Sequence, residues 1–177
     1  MNQHHFTGLK TARLILRQPT TSDWKMISYL RSSVEVNKYV HRPRAETKEK
    51  ALAYISKTIL GIDDQKLYYW VITEKNSDQM IGSICLWNLS EDGKTAEVGY
   101  DLNPKFQRRG IMNESLKCIL DFGFNTLQLE VIEAYTQRRN EPSKKLLERN
   151  GFKWVVGKKD ANDPENIIYQ IKNNGKT

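Results

Sequence analysis

Apolar residues recur at two spacings in the middle of this chain, and each spacing predicts a different element. Residues 96–102 are apolar at every second position, the pattern of a strand with one buried face. Asn103-Pro104 should end that strand, because proline donates no backbone hydrogen bond. After residue 110 the apolar residues fall three and four apart, which predicts an amphipathic helix. A strand therefore leads through a short basic loop into a helix.

The same periodicities, with turn residues as boundaries, give the order β-α-α-β-β-β-α-β-α-β-β. Strands are predicted at residues 12–17, 67–73, 80–89, 96–102, 131–136, 153–157 and 167–172. Helices are predicted to begin near Trp24, Glu46, Gly110 and Asn140, with Gly61 as the C-terminal cap of the second. Residues 66–102 should form an antiparallel meander. Strands 96–102 and 131–136 should be parallel, because a helix connects them.

Length and composition indicate a single domain over residues 1–177, with a core of about residues 12–172. Hydrophobic residues make up 38% and charged residues 28%, as in ordinary globular proteins. No apolar run approaches the ~20 residues of a membrane span, and the N-terminal residues lack the pattern of a signal peptide. We therefore expect a cytoplasmic protein that does not enter the membrane.

Cysteine and histidine usage gives no sign of a metal centre. Cys85 and Cys118 are isolated within apolar patterns, so both should be reduced core residues. His4, His5 and His41 have no metal-ligand spacing to each other or to the cysteines. We expect no metal.

The net charge of +7 has two explanations. It could serve nucleic-acid binding, or it could attract a polyanionic cofactor and suit proximity to ribosomes. Basic residues are interspersed with acidic ones and no nucleic-acid-binding module is recognisable, so the sequence does not favour nucleic acid as a partner.

The loop before the central helix has the chemistry of an anion site. The first turn of a helix presents unpaired N–H groups and a partial positive charge. Gly110 would leave that backbone accessible, and Arg108 and Arg109 add two positive charges. A pyrophosphate would fit there. The alternative is an exposed basic loop that caps an ordinary helix.

Two motifs resemble the GNAT superfamily of N-acetyltransferases. The segment 107–112, Q-R-R-G-I-M, resembles the Q/R-x-x-G-x-G/A acyl-CoA signature and departs from it at Met112. Residues 140–143 and 148–152 resemble the N-x-x-[AS]…E-x-x-G-F helix beside the pantetheine. The preceding A-E-V-G-Y at 96–100 looks like the RimJ/RimL-type branch, which acetylates ribosomal-protein N-termini. The resemblance implies an α/β (α+β) fold with a mixed, mostly antiparallel sheet of six to seven strands and four helices.

The resemblance also implies an acetyl-CoA site, with the pyrophosphate on the backbone of residues 108–113 and the pantetheine along the end of strand 96–102. A backbone N–H near Leu102 would face the thioester oxygen. The implied cofactor-binding residues are Tyr100, Leu102, Asn103, Gln107, Arg108, Arg109, Gly110, Ile111, Met112, Asn113, Asn140 and Ser143.

Two residues are candidates for catalysis. Glu97 lies on the strand face opposite Val98, beside Gly99, whose missing side chain would leave room for an acceptor, and a carboxylate there could remove a proton from the amine. The alternative is a surface ion pair with a lysine or arginine. In many relatives a tyrosine acts as the general acid, and this chain has Leu147 at that position. In the RimJ/RimL-type branch a serine at the position of Ser143 is thought to act as this acid. Ser143 could equally make a local hydrogen bond to the backbone.

The resulting hypothesis is direct acetyl transfer from acetyl-CoA to a primary amine, with a ribosomal-protein N-terminus as the expected acceptor, by a monomer or homodimer. The alternatives are a small-molecule acceptor such as a polyamine, amino acid or aminoglycoside, and a non-catalytic acyl-CoA-binding or nucleic-acid-associated module. The loop at residues 39–44 is either an acceptor-binding rim or a solvated connection.

Overall fold

The computed structural model describes residues 6–173, so His4 and His5 lie outside the described residues. One eight-stranded sheet has the strand order β1-β2-β3-β4-β5-β6-β8-β7. The strands are β1 (Leu9–Lys10), β2 (Leu14–Arg17), β3 (Tyr68–Glu74), β4 (Gly82–Trp87), β5 (Thr95–Leu102), β6 (Val131–Gln137), β7 (Lys153–Trp154) and β8 (Asn166–Lys172). The helices are α1 (Trp24–Ser32), α2 (Lys48–Asp63), α3 (Ile111–Asp121) and α4 (Glu141–Arg149).

The predicted order of elements and the mixed sheet are confirmed. Strands β3, β4 and β5 form the antiparallel meander, and β5 pairs with β6 in parallel. The structure adds the two-residue strand β1, which the sequence pattern did not predict.

Two predicted boundaries are wrong. Helix α2 continues through Gly61 to Asp63, and a side chain at Gly61 would meet Leu67 at 3.4 Å, so this glycine permits close packing instead of ending the helix. Strand β7 ends at Trp154, three residues early, and Gly157 beyond it has a left-handed φ of 87° that extended backbone does not use.

The sheet separates two clusters of buried side chains. One cluster contains Leu116 and Ile119 of α3 and Leu147 of α4. The other contains Ile27 of α1 and Ile55 of α2. Residues of β5 alternate between these faces, so neighbouring side chains of this strand point to opposite sides of the sheet.

Strands β5 and β6 pair only briefly. Their parallel register joins Thr95, Ala96 and Glu97 to Val131, Ile132 and Glu133, whereas β6 pairs over its whole length with β8. From Val98 to Leu102, β5 is paired on the β4 side alone. The sheet therefore opens into a V whose vertex is at Glu97.

Candidate active site

The open side of the V is a row of unpaired strand backbone. Five residues, Val98 to Leu102, extend for about 16 Å at the usual rise per residue. Such an edge can accept an extended ligand with amide groups, in the way that a peptide adds a strand to a sheet. The geometry fits the pantetheine arm expected beside Tyr100 and Leu102.

The first turn of α3 lies just beyond the end of β5. Asn103 ends the strand and its side chain accepts a hydrogen bond from the backbone N–H of Lys105 at 3.1 Å. Gly110 is the N-cap of α3 with φ 74°, and Arg108 also has a left-handed φ of 60°. These two left-handed residues turn the chain into α3, whose first turn, from Ile111, presents backbone N–H groups without helical partners. This arrangement is suited to a pyrophosphate.

The two arginines of this loop differ in their partners. The guanidinium of Arg109 is 3.1 Å from Glu74 and stacks over the ring of Phe106 at 5.2 Å. Arg108 is exposed and forms no ion pair within residues 6–173. Both arginines were expected to attract a bound anion, but the charge of Arg109 is partly neutralised by Glu74.

Arg13 holds the loop against the first turn of α3. Its Nη1 donates to the carbonyl of Arg109 at 2.9 Å, and its Nε donates to Glu114 at 2.7 Å. A side chain at Gly110 would meet Arg13 Nη2 at 3.3 Å. Sequence reasoning missed Arg13, because about a hundred residues separate it from both partners.

Two hydroxyl groups meet on the α4 side of the V. The Tyr100 hydroxyl lies 2.8 Å from the Ser143 hydroxyl, and burial raises the pKa of Tyr100 to about 12. The Asn140 side chain accepts a hydrogen bond from the Ser143 backbone N–H at 3.2 Å and caps α4. The structure therefore brings together three residues that were predicted from two separate motifs.

The remaining predicted cofactor residues take local roles. Gln107 donates to the carbonyl of Leu102 at 3.3 Å, and Asn113 accepts from Asn150 at 2.9 Å. Ile111 and Met112 bury their side chains in the core, where Met112 is 9% exposed. At these two positions only the backbone remains available to a ligand.

Glu97 lies at the vertex on the opposite face. It is in register with Glu133 of β6, and the two carboxylates project from the same face of neighbouring strands. Lys158 pairs with Glu133. Glu97 forms no ion pair within residues 6–173, so the predicted alternative of a surface salt bridge is wrong.

The surroundings of Glu97 favour its neutral form. Burial, aided by the carboxylates of Asp160 and Glu133, raises the pKa of the Glu97 carboxyl to about 7, while hydrogen bonding by Asn88 and the charge of Lys158 oppose the rise. A carboxyl with a pKa near neutrality is suited to general-base catalysis.

The space beside Gly99 is not free for an acceptor, so that expectation is wrong. A side chain at Gly99 would lie 3.2 Å from the sulfur of Cys85 and 3.6 Å from the indole nitrogen of Trp87. Burial raises the pKa of the Cys85 thiol to about 12. The missing side chain makes room for these two residues of β4.

Four residues around Glu97 were not predicted. They are Glu133, Tyr135, Lys158 and Asp160. Glu133 could have been found only from the register of β5 on β6, because neither strand alone indicates it. Lys158 and Asp160 belong to the connection between β7 and β8, which carries no motif.

Two features are absent from residues 6–173. No helix in this part of the chain is long and apolar enough to cross a membrane. No group of three or more histidine, cysteine, aspartate or glutamate side chains is arranged to hold a metal ion there.

Residues 13–153 match the family model of the acetyltransferase (GNAT) domain. This chain therefore belongs to the GNAT family and is an N-acetyltransferase; enzymes of this family take the acetyl group from acetyl-CoA.

Individual relatives agree. The chain is 32% identical to the uncharacterized N-acetyltransferase YoaA of Bacillus subtilis (strain 168) over 147 residues, which are 83% of each chain. The ribosomal-protein-S5-alanine acetyltransferase of Vibrio fischeri superposes with a TM-score of 0.81 at 23% identity, covering 95% of this chain and 97% of that one. The ribosomal L7/L12 α-N-protein acetyltransferase RimL, in complex with coenzyme A, superposes with a TM-score of 0.81 at 19% identity, covering 94% and 98%. At these identities the two solved structures support the fold alone.

Proposed function

We propose that this enzyme transfers the acetyl group of acetyl-CoA to the α-amine of a protein N-terminus, with a ribosomal protein as the leading acceptor. The observation that carries the proposal is the position of Glu97. Its carboxyl has a pKa near 7 and lies at the vertex of the V, where the thioester end of a pantetheine arm along β5 would arrive. The names of the two ribosomal-protein acetyltransferases that share the fold support the choice of acceptor.

In this proposal the chain holds the donor mainly by backbone groups. The N–H groups at residues 108–113 bind the pyrophosphate, and the exposed charge of Arg108 attracts it. Strand residues 98–102 present the open edge to the pantetheine amides, and a backbone N–H of this edge beside the vertex stabilises the thioester oxygen as it becomes negative.

The pKa of Glu97 selects between kinds of amine. An α-amine has a pKa of about 7.7–8.0, so removal of its proton by a carboxylate of pKa about 7 costs only about 1.4 kcal/mol. A lysine amine has a pKa of about 10.4, and the same transfer would cost about 4.6 kcal/mol. Glu97 is therefore suited to an N-terminus more than to a lysine side chain.

Ser143 and Tyr100 stabilise the departing thiolate by hydrogen bonding. A thiol has a pKa of about 8.5, so a hydroxyl whose pKa is about 12 does not give its proton fully to a thiolate. Tyr100 can instead donate to Ser143 while the Ser143 hydroxyl donates to the sulfur. The α-ammonium group loses one proton to Glu97 before attack, and the nitrogen loses a second proton after it has bonded to the thioester carbon. One proton is returned to the departing thiolate and the other goes to solvent, so the overall reaction yields an amide, free coenzyme A and one proton.

Release of free thiol from acetyl-CoA tests the proposal. The panel contains a lysine-free peptide with an open N-terminus, the same peptide with a blocked N-terminus and one lysine, and a polyamine. We expect release with the first peptide and at least about tenfold less with the second, given the cost difference above. Thiol release with the polyamine alone would contradict the proposal and would show that the acceptor is a small molecule.

A further inference from the structure

A cleft of 470 Å³ lies beside the loop that joins α1 to α2, and the residues of its lining that have acidic or basic side chains are all basic. These are Arg31, Lys38, His41, Arg42 and Arg44. No aspartate or glutamate lines it. Glu46, the acidic residue that follows Arg44 most closely, is paired with Lys50 at 3.1 Å. The lining of the cleft therefore carries more basic than acidic side chains.

The charges of the cleft are not equally available. Arg42 is used within the protein, because its guanidinium is 2.9 Å from Asp101 and also donates to Asn37 and to the carbonyl of Leu30. Lys38 and Arg44 are exposed and form no ion pair within residues 6–173. The charges of Lys38, whose ammonium lies 5.2 Å from the centre of the Tyr39 ring, and of Arg44 are therefore available to an anionic ligand.

The cleft is joined at two points to the surroundings of Glu97. Arg42 binds Asp101, which lies on the same face of β5 as Glu97 and four residues from it, or about 13 Å along the strand. His41 lies 3.2 Å from Asp163 in the β7–β8 connection, which also carries Asp160. Glu97 and Asp101 lie on the face of β5 opposite the one that α3 covers, and this face is here called the acceptor face.

We propose that this cleft binds an anionic group of the acceptor, so that the preferred acceptor is a peptide with acidic side chains at about its fourth and fifth residues. This inference rests on the proposed function and specifies its substrate. An extended peptide advances about 3.3 Å per residue, so a chain whose amine is at Glu97 reaches Asp101 after about four residues. The loop at residues 39–44 is then an acceptor-binding rim and not only a connection.

The test compares two amidated pentapeptides, Ala-Gly-Ser-Glu-Glu and Ala-Gly-Ser-Gln-Gln, with the wild-type enzyme. We expect kcat/KM about tenfold higher for the acidic peptide, with the ratio falling at high ionic strength. Lys38→Gln and Arg44→Gln should each reduce the ratio about threefold, the size expected for one exposed ionic contact. Lys117→Gln, which removes the same charge from α3 on the other face, should leave the ratio unchanged.

Three outcomes would overturn the inference. Equal kcat/KM for both peptides would contradict an anion-binding role of the cleft, whereas N-terminal acetylation itself would still be supported. If neither peptide is acetylated, calorimetric affinities in the presence of coenzyme A decide: equal affinity removes the inference, whereas tighter binding of the acidic peptide that the variants lose supports it. If the variants raise KM for acetyl-CoA but not for its 3′-dephospho form, the cleft binds the phosphate of the cofactor.

Discussion

The two faces of β5 differ in how their polar side chains are partnered near the vertex. On the α3 and α4 face, the candidate groups already have protein partners, as in the Tyr100–Ser143 and Asn140–Ser143 contacts. On the acceptor face, Glu97 and Glu133 lie side by side, and Lys158 pairs with Glu133. In the proposed mechanism, the donor is therefore bound by groups that are fixed in advance, and the unfavourable electrostatics lie at the group that accepts the proton.

The arrangement of Glu97 costs stability. Its pKa is raised in the folded state, so the folded protein holds a proton that the unfolded chain has released at pH values between about 4.5 and 7. Stability from this group therefore falls as the pH rises through that window, and the full cost is present above pH 7. Donor-side groups such as the Asn140 cap carry no such penalty.

The largest expected effect is that of Glu97→Gln. Loss of a general base should reduce kcat by about a hundredfold or more, whereas affinity for coenzyme A should not change, because the residue lies on the acceptor face. Turnover by thiol release and affinity by calorimetry measure the two quantities. The matched control is Glu91→Gln in an exposed turn, and a kcat for Glu97→Gln equal to that of the control would remove Glu97 as the base.

The same variant tests the cost of the arrangement. Glu97→Gln should be more stable than the wild type by about 1–2 kcal/mol at pH 8, after allowance for screening by solvent, and no more stable near pH 4. Denaturant unfolding at the two pH values measures this difference. A gain of equal size at both would show that charge burial is not its cause.

Next in size is Gly110→Ala on the donor side. The new side chain would approach Arg13 at the mouth of the first turn, and we expect about a tenfold loss of affinity for coenzyme A. Gly93→Ala is the matched control: its φ of 67° imposes a similar left-handed strain of about 1–2 kcal/mol, and nothing lies within 4 Å. Equal affinities in the two variants would contradict a pyrophosphate site at Gly110.

Ser143→Ala should lower kcat by about tenfold, in line with the loss of one hydrogen bond to a developing charge. Tyr100→Phe should have a smaller effect, because its hydroxyl acts through Ser143. The double variant should be little worse than Ser143→Ala, since the two changes remove one connected unit. Fully additive losses would mean that the two hydroxyls act independently.

The smallest expected effect is a shift in pH dependence. The acid limb of kcat/KM should lie near pH 7, because Glu97 must be ionised to accept a proton. Lys158→Met should move it to higher pH by about half a unit, and Glu133→Gln should move it to lower pH by a similar amount. Shifts in the same direction for both would exclude this electrostatic account.

The predictable parts of this protein were local in sequence. Alternation at 96–102, the stop at Asn103-Pro104 and Gly110 before a helix are neighbours in the chain, and all three behave as predicted. The pairings of Glu133 with Lys158 and of Arg109 with Glu74 depend on how distant segments fold onto the sheet. No local pattern encodes those contacts.

The two errors at glycine have one physical cause. Absence of a side chain can allow an unusual backbone angle, a helix end, or the close approach of a neighbour, and the sequence does not distinguish these. Gly61 was predicted to cap a helix, and Gly99 was predicted to make room for a substrate. In both, a neighbouring side chain occupies the space: Leu67 in the first case and Cys85 with Trp87 in the second.

Cys85 has a further consequence for a protein that handles thioesters. Only a deprotonated sulfur attacks an acyl group or a disulfide, and a thiol of pKa about 12 is deprotonated in roughly one molecule in a hundred thousand at pH 7. We therefore expect the enzyme neither to acetylate itself at Cys85 nor to form a mixed disulfide there with the coenzyme. The same burial that raises this pKa keeps the acetyl group for the intended amine.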